Sequence, residues 1–93
     1  MKVRFFAYIR NNDYAGCKEI SIPACRDLRQ LGELLAERYG RKMEQLYFSP
    51  DKSTFGEQAI ILVNGRRAEF LKGIDTELSE EDTVLVFPVV AGG

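Results

Sequence analysis

Residues 2–9 alternate. Val3, Phe5, Ala7 and Ile9 fall on one face of an extended chain, and Phe6 and Tyr8 on the other. Both faces are apolar. The pattern therefore predicts a strand that is central or whose outer face meets another surface. Turn-forming residues occupy Asn11–Gly16, and CKEISI then reads as a second strand with Ile20 and Ile22 inward, ended by Pro23. The period next changes to that of a helix. Leu28, Leu31, Leu35 and Tyr39 line one face and Leu34 widens the stripe. Asp27 is placed to cap this helix, Gln30 gives capping-box spacing, and Gly40 is placed to stop it in a left-handed conformation.

Residues 41–58 carry less pattern. RKMEQLYF reads either as a short second helix with Met43, Leu46 and Tyr47 inward or as a strand, and SPDKSTFGEQ is loop by composition. AIILV is a buried-strand run. Asn64-Gly65 predicts a two-residue hairpin, because both residues tolerate positive φ, and RRAEFL returns as a short strand. KGIDTELSEED predicts an irregular crossing anchored by Ile74 and Leu78. TVLVFPVV is the last strand, apolar on both faces. Two opening strands form a hairpin, a helix crosses, and the last strand runs parallel to the first. This is an α+β arrangement of about five strands with one main helix packed across the sheet, and it predicts a single domain over residues 1–93.

Composition narrows the function. The chain has 93 residues, with 13 basic and 14 acidic side chains and a net charge of −1. That balance offers no general attraction to nucleic acid or to an anionic membrane. No apolar run has the length of a membrane span, and the opening residues are too charged for a signal peptide, so a cytoplasmic protein is expected. Histidine is absent, which removes the commonest general base and metal ligand. Cys17 and Cys25 match no metal or redox spacing, and a largely extended chain between them puts them beyond disulfide reach. A self-contained hydrolase or metalloenzyme is hard to build from this set, and no metal site is expected.

The sequence closes on FPVVAGG. Pro88 lacks an N–H, so strand pairing is expected to weaken there on at least one side. Ala91, Gly92 and Gly93 have almost nothing to bury and are expected to project as a flexible tail, residues 91–93. A terminal carboxylate is a poor electrophile, but it can attack an activated phosphate and become an acyl-adenylate. No phosphate-binding loop of the G-x-x-x-x-G-K-[ST] type is present, so ATP must be bound by another protein. Residues without side chains suit a narrow channel. Five extended residues, Val89–Gly93, reach about 17 Å.

VRFFAYIR, DLRQLGELLAERYG, ILVNGR and GIDTELSEEDTVLVFPVVAGG together resemble the small subunit of molybdopterin synthase, a family of ubiquitin-like sulfur carriers related to the thiamine-pathway carrier. The resemblance implies a β-grasp fold. It implies that an E1-like enzyme adenylates Gly93 using ATP, that sulfur replaces a carboxylate oxygen, and that the thiocarboxylate enters the larger synthase subunit to serve molybdenum or tungsten cofactor synthesis. In this reading Gly93 carries the reacting group, Gly92 and Ala91 keep the lead-in thin, and Phe6, Phe87, Pro88 and Arg10 face a partner. The chain itself binds no cofactor and acts as a carrier subunit. Two other readings share the sequence features: a protein modifier joined to lysines through the same carboxylate, and a ubiquitin-like interaction domain with an inert tail.

Overall fold

The computed structural model describes residues 1–10 and 13–88, with side chains for 1–5 and 19–88. Its strands are β1 (Lys2–Arg10), β2 (Asp13–Ser21), β3 (Ala59–Val63), β4 (Arg66–Arg67) and β5 (Thr83–Pro88), and its helices are α1 (Leu28–Tyr39) and α2 (Arg41–Tyr47). The sheet order is β2-β1-β5-β3-β4. β1 pairs antiparallel with β2 and parallel with β5, as the sequence predicts. The second strand starts earlier than expected. Asp13–Gly16, read as loop, belongs to β2. The register slips between Phe6 and Tyr8 and again between Tyr8 and Arg10, and such bulges let turn-type residues stay within a ladder.

The inner sheet face is sealed. Val3, Phe5, Ile61, Val63, Val84 and Val86 are buried, together with Leu28, Leu31 and Leu35 of α1. Tyr39 sets its ring edge against Phe5 at 5.1 Å. Asp27 caps α1 by accepting the Gln30 N–H at 2.9 Å, while the Gln30 side chain accepts the Arg26 N–H at 2.6 Å. The reciprocal half of the box thus lands one residue before the cap. Gly40 has φ +91° as expected, but its ψ of −167° is extended rather than left-handed helical. The chain therefore turns sharply at Gly40 and enters α2 at once.

Residues 41–58 resolve into the helix alternative followed by a loop. Met43 and Tyr47 are buried and Leu46 is half-buried. Tyr47 donates its hydroxyl hydrogen bond to the Leu28 carbonyl at 2.6 Å and packs against Phe48 and Phe55. Its ring fills the space beside Gly32, where a Cβ would lie 2.3 Å from a ring carbon. Burial pushes the Tyr47 phenol well above its usual range. The loop beyond is tied to α1 and the crossing by Arg29, which donates to the Lys52 carbonyl at 2.7 Å and pairs with Asp75.

The last third follows its expected path with one change. Asn64 (φ +52°) and Gly65 (φ +85°) make the hairpin. The returning strand stops after two residues, however, because Ala68 tucks into the core and the chain coils into a 3-10 turn over Ala68–Phe70. Ile74 is buried and Leu78 packs against the core. Asn64 and Asp82 then lock the hairpin to the start of β5. Asn64 donates to Asp82 at 2.8 Å and accepts the Thr83 N–H at 2.9 Å. Cys25 is a free, buried thiol whose pKa burial raises.

Two outcomes test this packing. Leu31→Ala or Leu35→Ala is expected to cost roughly 2–5 kcal/mol in urea unfolding, and Gly32→Ala about 1–3 kcal/mol by forcing the Tyr47 ring aside. Acid sensitivity should follow three carboxylates. Hydrogen bonds from the Ser53 hydroxyl, the Ser53 N–H and the Ser49 hydroxyl hold Asp51 at about 2. At Asp27 and Asp82 partial burial acts to raise the pKa, but hydrogen bonds from Gln30 and Asn64 respectively, with further partners, leave each lowered. A carboxyl whose folded pKa lies below its unfolded value stabilises above the unfolded value, near 3.9, and loses that contribution as pH falls through the folded one. The urea midpoint should therefore stay level between about pH 5 and 8 and fall between about pH 4 and 2. Asp51→Asn should flatten the lower part of that fall.

Candidate functional site

The site expected from the sequence lies at the end of β5, and β5 is held on both edges. From Lys2↔Thr83 to Phe5↔Val86 it pairs with β1, and from Val63↔Val84 to Ala59↔Pro88 it pairs with β3. The paired run alongside β1 thus reaches Val86, while that alongside β3 continues to Pro88. Pro88 is the last described residue of β5 and is paired with Ala59 on the β3 side, whereas the pairing with β1 stops at Val86, as the missing N–H predicts. The chain beyond Pro88 is launched from the sheet's middle strand.

The two faces of β5 differ. Val84 and Val86 are buried beneath the helices, whereas Leu85 and Phe87 on the opposite face are half-buried. Cross-strand partners extend this outer surface, because Ile60 lies opposite Phe87 and Leu62 opposite Leu85, and both are half-buried. Exposed arginines flank the four apolar residues. Arg4 is beside Leu85 in the register and pairs with Glu19 at 3.5 Å; Arg67 is opposite Leu62 and pairs with Glu69. An apolar centre with an arginine rim has the composition of a protein-binding surface. Among the described residues no nucleophile–base pair lies on it.

Of the predicted residues, the structure places Phe87 and Pro88 together at the end of this surface. Phe6 and Arg10 lie in β1, where they pair with Cys17 and Asp13, but their side chains lie outside the described residues. Ala91, Gly92 and Gly93 also lie outside them. Ile60, Leu62 and Arg67 were not singled out from the sequence. AIILV is apolar throughout, so its pattern could not say which residues face away from the helix. The strand alternation, once aligned with Phe87, supplies that answer.

Among the described residues no group of three or more His, Cys, Asp or Glu side chains could hold a metal ion, and every buried side-chain nitrogen or oxygen has a hydrogen-bond partner. No helix among them is long and apolar enough to cross a membrane. The clefts are open. One of about 260 Å³ runs along the free edge of β3, lined by residues that include Ala59, Ile60, Ile61, Arg67 and Glu69.

Comparison with solved structures gives the same architecture. The chain is similar to the small archaeal modifier protein 1 of Methanosarcina acetivorans, with TM-score 0.74 and 22% identity over 99% of this chain and 94% of that one. It is similar to a chain of the BexX/CysO complex of Amycolatopsis orientalis, with TM-score 0.72 and 20% identity over 98% and 99%. A putative molybdopterin converting factor, subunit 1, from Pyrococcus furiosus aligns with TM-score 0.60 and 30% identity over 96% and 95%. Among curated proteins none matches. The mixed five-stranded sheet is thus a ubiquitin-like β-grasp. Residues 3–93 match the ThiS family, and the match spans the sheet, both helices and the Gly92-Gly93 pair: the chain belongs to the ThiS family and has the fold of its ubiquitin-like sulfur carriers.

Proposed function

We propose that the protein is the small, sulfur-carrying subunit of a molybdopterin synthase, a single β-grasp domain over residues 1–93 that works in the cytoplasm with two partners. The observation that carries this reading is a family match that runs through Gly93. The 30% identity with a putative molybdopterin converting factor subunit supports the pathway. The carboxylate of Gly93 attacks the α-phosphorus of ATP bound by an E1-like enzyme, and pyrophosphate leaves. Hydrosulfide then attacks the acyl carbon, AMP leaves and a thiocarboxylate remains. Inside the large synthase subunit, that sulfur bonds to a carbon of the pterin precursor as a carbon–oxygen bond there breaks, and water cleaves the acyl–sulfur bond to restore the carboxylate. This chain supplies no base, metal or bound cofactor to these steps. Its part is to present the terminus: Gly92 and Ala91 as a thin lead-in, Phe87 and Pro88 at the root, and Phe6 and Arg10 toward the partner.

The likeness to a small archaeal modifier protein favours a second reading, in which the activated Gly93 forms an isopeptide bond with a lysine. Intact-mass analysis of protein from native cells separates the two. Replacement of oxygen by sulfur at the terminus supports the carrier, and branched Gly-Gly remnants on other proteins support the modifier. Survival of cellular function without Gly92 and Gly93 would overturn both.

Two outcomes are expected of variants. Deleting Gly93 should abolish adenylation by the E1-like enzyme while moving the melting temperature by less than about 2 °C, since glycine has no side chain to bury. Ile61→Ala should cost roughly 2–5 kcal/mol in unfolding with little change in partner affinity. Its outward neighbour should behave oppositely: Ile60→Ala should cost only about 1 kcal/mol in stability and weaken partner binding measurably by calorimetry.

A further inference from the structure

Beyond the surface next to the tail, one aromatic side chain stands out. Phe70 is 77% exposed on the 3-10 turn that follows β4, and its neighbour Leu71 is 40% exposed. The sequence pattern gave Phe70 no role, and its packing gives it none in the core. The Arg67 guanidinium lies 5.5 Å from the centre of the Phe70 ring, a cation–π arrangement that steadies a side chain otherwise open to water. A pre-positioned aromatic loses less freedom on binding, and exposed aromatics beside arginine are favoured as binding anchors.

Along the turn itself the charge is one-sided. Residues 66–72 carry Arg66, Arg67 and Lys72 against Glu69 alone, all exposed, on a chain whose net charge is −1. A partner surface that covers Phe70 must meet this local excess of positive charge, so it should be acidic around an apolar hollow. The patch is also continuous with the root of the tail. The cleft along the free edge of β3 runs from Ala59, which pairs with Pro88, to Arg67, which lies over Phe70. Ala59 and Leu62, the partner of Arg67, are three residues apart on one strand, or about 10 Å. A protein that handles the terminus and rests on this edge reaches Phe70 without leaving the surface.

We infer that the enzyme that adenylates Gly93 takes Phe70 into an apolar pocket rimmed by carboxylates, with Arg66 and Arg67 meeting that rim. The inference rests on the carrier or modifier reading above, since both need this activation. Phe70 and the arginines position the domain; they do not touch the reacting carboxylate.

The test is ATP–pyrophosphate exchange by the E1-like enzyme from the same genome, with the full chain as substrate. Phe70→Ala is expected to raise KM for the carrier about tenfold or more while leaving kcat within about twofold. The pair Arg66→Glu and Arg67→Glu together should raise KM similarly, and raising the salt from about 0.05 to 0.5 M should weaken the wild type more than this variant. Melting temperatures close to the wild type exclude a folding defect, as the exposure of all three side chains predicts. A wild-type chain that is adenylated alongside a Phe70→Ala variant with unchanged KM overturns this inference alone. A wild-type chain that is not adenylated at all overturns the activation reading, and the inference with it.

Discussion

The structure depends on the parallel pairing of the first strand with the last. β1 and β5 come from opposite ends of the described chain, and joining them needs the intervening residues to cross the sheet. α1 makes that crossing with its leucine stripe against Val3, Phe5, Val84 and Val86. Once those inner residues are sealed, the alternate residues of the same strands face away from the helices. Burial on one face thus fixes what is offered on the other. It also fixes the end of the described strand: Pro88 lies on the sheet's middle strand and is paired there with Ala59 of β3.

Much of this was legible in the sequence because the signals were local. The Leu28–Leu31–Leu35 stripe, the Asp27 cap and the Asn64-Gly65 turn each describe a few neighbouring residues, and each took the predicted form. α2 was not legible in that way. Seven residues give too few turns for a period to declare itself, and the helix is fixed by contacts far away in sequence: Tyr47 against Gly32 and its hydroxyl on the Leu28 carbonyl. The early start of β2 was hidden for a related reason, since Asp13–Gly16 have loop composition and are extended only through their register with β1. The short β4 depends on Ala68 entering the core, which no alternation in RRAEFL announces.

The candidate site divides along the same line. Phe87 and Pro88 could be read from a motif next to the glycines. Ile60 and Leu62 could not, because a run of five apolar residues hides its own alternation. Their place on the outer surface follows from lying opposite Phe87 and Leu85. A half-buried apolar strip is tolerable on a monomer, so its presence alone does not specify a partner. The specific feature is that it leads, strand by strand, from the root of the tail to the arginines at the sheet edge.

That geometry bears on how, under the proposed function, one small domain would serve two enzymes in turn. In that reading the activating enzyme and the sulfur acceptor both receive the same glycines, so the tail does not tell them apart. Discrimination has to come from surface on the folded body, where one partner can use contacts that the other leaves exposed. The outer strip ends at Phe87 and Pro88, and in that reading it is within reach of both partners. Phe70 and Arg67 sit farther along the edge, where one partner can grip the domain and the next can leave them free. In that reading, handing the carrier over would require the first enzyme to release a rim contact that salt and a single aromatic largely control, which is easier to reverse than burial of the whole strip.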